Sequence, residues 1–307
     1  MDKFLLDNLT ETSWNYPSFI QPLRLPEITA ADIHADVLRL DLLHPVVSGN
    51  KWFKLKGHLQ KALPHSPSSL LTFGGAWSNH IIATAYAAQQ TGIPSIGIIR
   101  GERPPVLSAT LQSAAGYGMH LEFISRTAYA EKDSPAFQQD LTIRFPGAYI
   151  IPEGGAGIAG INGSGHILRE IPATHYTHIF CAVGTGTMLL GLAAAASPGQ
   201  EVLGIPVLKG MNDLSTINRD HPFAPPRLIP HYHFGGYARL SQELLDSMNR
   251  LYRDAGIPTD FVYTGKLFYG VLDMVRRHLF PAHSRLLIVH SGGLQGNRSL
   301  PPGTLDF

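Results

Sequence analysis

The sequence predicts an α/β protein with parallel-rich sheets and crossover helices, and two observations carry the prediction. From about residue 69 onward, short β-branched apolar runs alternate with longer segments of helical character, as parallel strands joined by crossover helices require. Several of the helical segments open on Ser and some close on Gly, the residues that satisfy the free N–H groups of a first turn and tolerate a left-handed last residue.

In chain order the strand candidates are SLLTF, PSIGII, HLEFIS, AYIIP, HIFCAV, EVLGIPV and RLLIV. Between them lie SNHIIATAYAAQQTG, SATLQSAAGYG, SPAFQQDLTIRF, GINGSGHILREI and GTMLLGLAAAA, read as helices. Two later segments, SQELLDSMNRLYRDAG and GKLFYGVLDMVRRHLF, carry apolar residues three and four apart and read as amphipathic helices covering the sheet faces. The segments at 101–105 and 222–230 are read as proline-rich loops. With no repeat and no low-complexity linker, any domain boundary is crossed by compact chain. The expectation is two lobes: a smaller one from residues 52–150, inserted in a larger one built by 1–51 and 151–307.

The bulk composition excludes several classes. The chain has 307 residues, 44% of them hydrophobic, enough for a sizeable core. Lys plus Arg total 24 against 23 Asp plus Glu, so no net field attracts nucleic acid or an anionic membrane. The opening residues lack the apolar run of a signal peptide and no later stretch is apolar enough to span a bilayer, so a cytoplasmic location is expected. A single cysteine, Cys181, forbids an internal disulfide and, set in an apolar run, reads as inert packing. The 15 histidines, HYH at 231–233 included, lack a recognised ligand spacing, and no metal is expected.

Four segments carry the chemistry. In VVSGNKWFKLKGHL a turn runs into a helix beginning near Lys51, where the helix dipole disfavours a protonated amine. Taken alone, a solvated helix-start lysine is the commoner meaning of such a motif. In TFGGAWSNHIIATA a strand ends in a double glycine, and Ser78 and Asn79 open a helix whose free N–H groups suit a carboxylate; an ordinary N-cap serine reads about equally well. In AVGTGTMLLG, Gly184, Thr185, Gly186 and Thr187 precede a helix and form a cradle for a single phosphate rather than a dinucleotide. Near the C-terminus, DFVYTGKLFYG and RLLIVHSGGLQGN add hydroxyl partners for a heteroaromatic ring. An imine-forming lysine, a carboxylate pocket, a phosphate loop and ring partners are the parts of a pyridoxal-phosphate site.

On these segments the chain resembles the 1-aminocyclopropane-1-carboxylate deaminase and D-cysteine desulfhydrase group of pyridoxal-phosphate enzymes, over about residues 35 to 297. The resemblance implies the two-lobed fold type II, tryptophan synthase β-like, and a homodimer. It implies that Lys51 carries the cofactor as a Schiff base and that Lys54 reaches its phosphate, with Gly184, Thr185, Gly186 and Thr187 as the phosphate loop. It places Ser78 near substrate, Asn79 near substrate and the cofactor's phenolic oxygen, Tyr263 against the ring as a candidate for proton transfer, and Tyr237 as a second active-site tyrosine. Trp77 and His80 stand where the group commonly has Gln and an amide residue, which puts His80 among the substrate-facing positions and marks a different substrate shape.

The same resemblance bears on the reaction. The deaminase branch carries Glu after the tyrosine and Leu before the late glycine pair, whereas the desulfhydrase branch carries small hydroxyl residues; here they are Thr264 and Ser291. Hydroxyls leave the pyridine nitrogen largely neutral, which suffices for β-elimination with a good leaving group. The expected activity is α,β-elimination on a small amino acid, like that of D-cysteine to pyruvate, sulfide and ammonia. The alternatives are 1-aminocyclopropane-1-carboxylate deamination, another fold type II lyase or dehydratase, and a non-catalytic pyridoxal-phosphate-binding protein.

Overall fold

The computed structural model describes residues 19–213 and 226–307. The chain enters through β1 (Ile20–Pro22), α1 (Pro26–Ala30) and β2 (His34–Arg39), then forms α2 (Asn50–Ala62). A run of alternating units follows: β3 (Ser69–Gly74), α3 (Asn79–Thr91), β4 (Ser95–Arg100), α4 (Ala109–Gly116), β5 (Met119–Ile124), α5 (Arg126–Ala130), α6 (Pro135–Arg144) and β6 (Ala148–Ile151). The rest comprises α7 (Ile158–Arg169), β7 (His178–Val183), α8 (Thr187–Ala195), β8 (Glu201–Pro206), β9 (Arg227–Leu228), α9 (Gln242–Ala255), α10 (Thr264–Arg276) and β10 (Arg285–His290).

These strands form two sheets. The larger has the order β1-β2-β10-β7-β8-β9 and the smaller β5-β4-β3-β6. Every pairing is parallel except β1 with β2, so the α/β class with crossover helices is what the chain adopts. In the larger sheet Ile288 of β10 stands opposite both Val37 of β2 and Phe180 of β7.

Strand alternation divides the core. Leu287 and Val289 face one way, into a cluster with Trp52, Phe53 and Leu59 of α2, Ile161 of α7 and Leu190 of α8. Leu286 and Ile288 face the other, with Phe268 and Val271 of α10. The first cluster also takes in Leu70 of β3 and Ala83 of α3, tying the small sheet to the large one. Truncating a side chain as enclosed as Phe180 in such a core costs about 3–5 kcal/mol. Helices α2 and α7 meet backbone to backbone, because a Cβ on Gly57 would lie 2.2 Å from the Ala159 carbonyl oxygen and one on Gly163 equally close to that of Phe53.

The strand pattern begins earlier than residue 69. β1 is only three residues long and β2 mixes polar with apolar positions; both are strands because β10, from the far end of the chain, pairs with β2. The proline-rich 222–230 segment, whose first four residues lie outside the described residues, holds β9, with Leu203 opposite Arg227. A two-residue strand has no periodicity to read; only the neighbouring β8 makes it one.

Candidate functional site

The site is assembled where the carboxyl ends of β7, β10 and β3 turn into loops, the usual position for a ligand in a parallel sheet. The SGN turn comes first. Gly49 sits at φ 63° and ψ −144°, and a Cβ there would lie 1.8 Å from the Ser291 carbonyl oxygen, so only glycine lets α2 start against the end of β10. The Asn50 N–H donates to that same oxygen at 3.2 Å. This docking carries Lys51 and Lys54, one turn apart on α2, into a cleft with Asn79 from α3, the 184–186 loop before α8, Tyr263 before α10, and Ser291 after β10.

No carboxylate is among the described residues lining this cleft, while two amines are. Lys51 Nζ donates to Asn50 Oδ1 at 2.8 Å, and burial pulls its pKa down to about 8, partly opposed by the charge of Asp260. The helix start contributes the position of Lys51; burial, rather than the dipole, is the main cause of the shift. Lys54 Nζ donates to the Gly154 carbonyl at 3.2 Å, and burial, then the neighbouring Lys51 charge, holds it well below the ordinary lysine range. Two amines that are costly to charge, beside a loop opening α8, call for an anion. In that loop Gly186 has φ 76° and the Thr185 and Thr187 hydroxyls are 2.9 Å apart.

Asn79 donates through Nδ2 to the Gly293 carbonyl at 3.3 Å, and its Oδ1 is buried without a partner. Ser78 accepts from the Ile81 N–H at 3.3 Å, the N-cap of α3. It stands beside the cleft rather than in its wall.

Five of the sequence candidates do not line the cleft: Ser78, Thr187, His80, Thr264 and Tyr237. His80 is 2% exposed, and its Nε2 pairs with the Thr72 hydroxyl at 2.9 Å, because the second residue of α3 points back over β3. Burial, then the charge of Lys51, depresses its pKa. Thr264 is fully buried, its hydroxyl bonded to Asp260. Tyr237 is 47% exposed and meets Tyr263 edge-on at a centroid distance of 6.1 Å, outside the cleft proper.

Asp260 is the residue that sequence reasoning missed. Its carboxylate accepts from the N–H groups of Val262 at 3.0 Å, Tyr263 at 2.9 Å and Thr264 at 2.9 Å, and from the Thr264 hydroxyl at 2.8 Å. It fixes the turn that presents Tyr263. An Asp just ahead of an amphipathic run is a helix-start signature, and that was the available signal. Lys266 is also pulled down to about 8 by burial, but it donates to the carbonyls of His233 at 3.0 Å and Gly236 at 2.7 Å and so holds the loop that carries Tyr237. Position, not basicity, distinguishes Lys51 from it. Cys181 is buried in the core, its thiol pushed up to about 12 by burial.

The residues fit pyridoxal phosphate: a poised amine, a second amine with a helix-opening loop for the phosphate, a buried amide oxygen awaiting a donor, and Tyr263 over Gly184, where a Cβ would meet its ring at 3.1 Å. Residues 20–292 match the model of the pyridoxal-phosphate dependent enzymes, and the chain belongs to that family. Among its relatives are proteins named "Putative 1-aminocyclopropane-1-carboxylate deaminase" from Pyrococcus furiosus, 26% identical over 96% of this chain and 94% of the relative, and from Thermotoga maritima, 29% identical over 85% and 88%. A solved structure described as an ACC deaminase homologue superposes with a TM-score of 0.78 at 25% identity, over 97% of both chains. Threonine deaminase isoform 2 of Solanum lycopersicum, at 16% identity, shares the fold alone, with a TM-score of 0.64 over 95% of this chain and 84% of that one. The architecture is thus that of the fold type II enzymes.

Proposed function

We propose that the protein catalyses α,β-elimination on a small amino acid, with D-cysteine as the type substrate: D-cysteine and water give pyruvate, hydrogen sulfide and ammonia. The observation that carries this reading is the cleft wall, which offers the Ser291 hydroxyl and no carboxylate to a bound ring. When bound, pyridoxal phosphate supplies an electron sink for the charge left on the substrate α-carbon.

The chain's own residues do the rest. Lys51 would hold the cofactor covalently through Nζ. The Lys51 Nζ, its pKa lowered to about 8 by burial, would be matched to accept the α-proton near neutral pH. Lys54 and residues 184–187 bind the phosphate, and Asn79 binds the substrate carboxylate and the cofactor's phenolic oxygen. Burial, then the neighbouring Tyr237, raises the Tyr263 phenol well above its ordinary value, so it stays protonated and would act as a proton donor. The thiol sulfur leaves from the β-carbon with the electron pair. We assign residues 52–150 to a smaller lobe, and take the enzyme as a cytoplasmic homodimer on its resemblance to the desulfhydrase group.

The second reading is 1-aminocyclopropane-1-carboxylate deamination, favoured by the names of the relatives. Purified protein saturated with pyridoxal phosphate decides between them. Sulfide and pyruvate from D-cysteine are expected; 2-ketobutyrate from 1-aminocyclopropane-1-carboxylate as the dominant product overturns the first reading.

A further inference from the structure

The carboxyl edge of the smaller sheet forms one rim of the cleft. From β3 comes the Gly74–Asn79 connection with Trp77, 41% exposed; from β4 comes Arg100, its last residue. A Cβ on Gly75 would lie 3.5 Å from Arg100 Nη2, so the guanidinium rests against the loop that leads into Asn79. Among the described residues, the guanidinium meets the Tyr129 ring, with Cζ 5.9 Å from the centroid. Two of the neighbouring cations are held in ion pairs, and Arg103, like Arg100, meets an aromatic ring. Lys132 pairs with Asp133 at 3.0 Å and Glu153 at 3.4 Å, Arg144 pairs with Glu122 and Asp140, and Arg103 lies over Phe123. Among the described residues, no carboxylate is within ion-pair distance of Arg100.

Tyr237 meets Tyr263 of the cleft wall edge-on. Burial raises the Tyr237 phenol, and the Arg100 charge works in the opposite direction. An arginine with no ion-pair partner, resting against the loop that carries Trp77 and leads into Asn79, is suited to a planar oxyanion, since the guanidinium fork matches a carboxylate in two parallel hydrogen bonds.

We propose that Arg100 is a specificity-determining residue that binds an anionic group at the far end of the substrate side chain, so that the preferred substrates are α-amino acids whose side chain or β-substituent ends in a carboxylate or another oxyanion. This rests on the reading that an amino acid reacts at Lys51, and it makes D-cysteine, which lacks such a group, a poorer substrate than amino acids that carry one.

The test uses the holoenzyme, with the visible band of the bound cofactor as readout and isosteric pairs of amino acids as probes: aspartate against asparagine and glutamate against glutamine, in both enantiomers. The wild type should bind the acidic member of at least one pair about 10- to 100-fold more tightly, the usual worth of a charge-assisted pair. In Arg100→Gln that ratio should collapse toward one through weaker binding of the acidic member, and Arg100→Lys should keep part of it. A wild type without charge preference overturns the proposal, as does a band that no acidic amino acid moves. So does an Arg100→Gln variant that weakens both members equally, the signature of a merely structural arginine. A preparation with no visible band overturns the cofactor reading beneath it, a failure recognised before any amino acid is added.

Discussion

Thr264 donates its hydroxyl proton to Oδ1 of Asp260 at 2.8 Å, and the same hydroxyl oxygen accepts from the Asp260 N–H at 2.8 Å. A threonine has one proton to give, so this side chain has none left for a pyridine nitrogen. Of the two, Ser291 is the one in the cleft wall. The pair Thr264 and Ser291, equivalent in sequence, are a structural brace and a cleft residue in the fold.

Asp260→Asn should therefore weaken the fold. The amide places an NH₂ among groups that themselves donate, in a spot with no solvent exposure, and a loss of about 2–4 kcal/mol is expected. Urea titration of the apoprotein checks this. A midpoint equal to wild type would show that the Tyr263 turn does not depend on the carboxylate.

Lys51 should be the residue modified when the holoenzyme is reduced with borohydride, and peptide mapping should find the pyridoxyl group there. Lys51→Ala should lose the label and about a thousandfold or more of the turnover while remaining folded. A label on Lys54 or Lys266 would contradict the placement of the site.

The pH dependence of cofactor attachment follows from the lowered pKa of Lys51. Its value of about 8, against 10.5 for an ordinary lysine, means the neutral amine forms at lower pH, so attachment to the apoprotein should quicken as pH rises through about 8 and level off above it. An ordinary solvated lysine would keep accelerating toward 10.5. Between those two values the unfolded chain holds a proton that the folded chain has lost, so this group makes the apoprotein more stable as pH rises across that window. Stopped-flow absorbance in a pH series measures the attachment rate.

Ser291→Ala should retain the cofactor and the Lys51 label but eliminate sulfide from D-cysteine about 10- to 100-fold more slowly, the loss of one hydrogen bond to a developing charge. Replacing Thr264 by Glu and Ser291 by Leu, in imitation of the deaminase branch, should move product toward 2-ketobutyrate. It also sets a second carboxylate beside buried Asp260, so thermal stability should fall in the double variant. Pyruvate formation unaffected by Ser291→Ala would remove Ser291 from the site.

Cys181 should be silent toward thiol reagents in the native protein. It is fully buried and its thiol is pushed up to about 12, so an Ellman assay should detect almost no thiol until denaturant is added. Rapid native-state labelling would mean that β7 opens.

The sequence by itself determined what depends on neighbours along the chain. The alternation of apolar runs with longer helical segments gave the α/β class, and Ser78, Ser108, Ser125, Ser134 and Ser241 each cap a helix by accepting from an N–H three residues on, a purely local bond. The glycine loop at 184–187 and the SGN turn were legible for the same reason. Tertiary structure decided what depends on residues far apart. β2 is a strand because β10 lies beside it, and β9 because β8 does. His80 turned away from the cleft because Thr72 of β3 takes its ring nitrogen, and Arg100 reached the rim because β4 ends beside the Gly75 loop. Lys51 and Lys266 show the division most plainly. Burial lowers both amines to about 8, yet one enters the cleft and the other braces a loop, because side-chain direction is set by which helix end meets which sheet edge, information that no stretch of neighbouring residues contains.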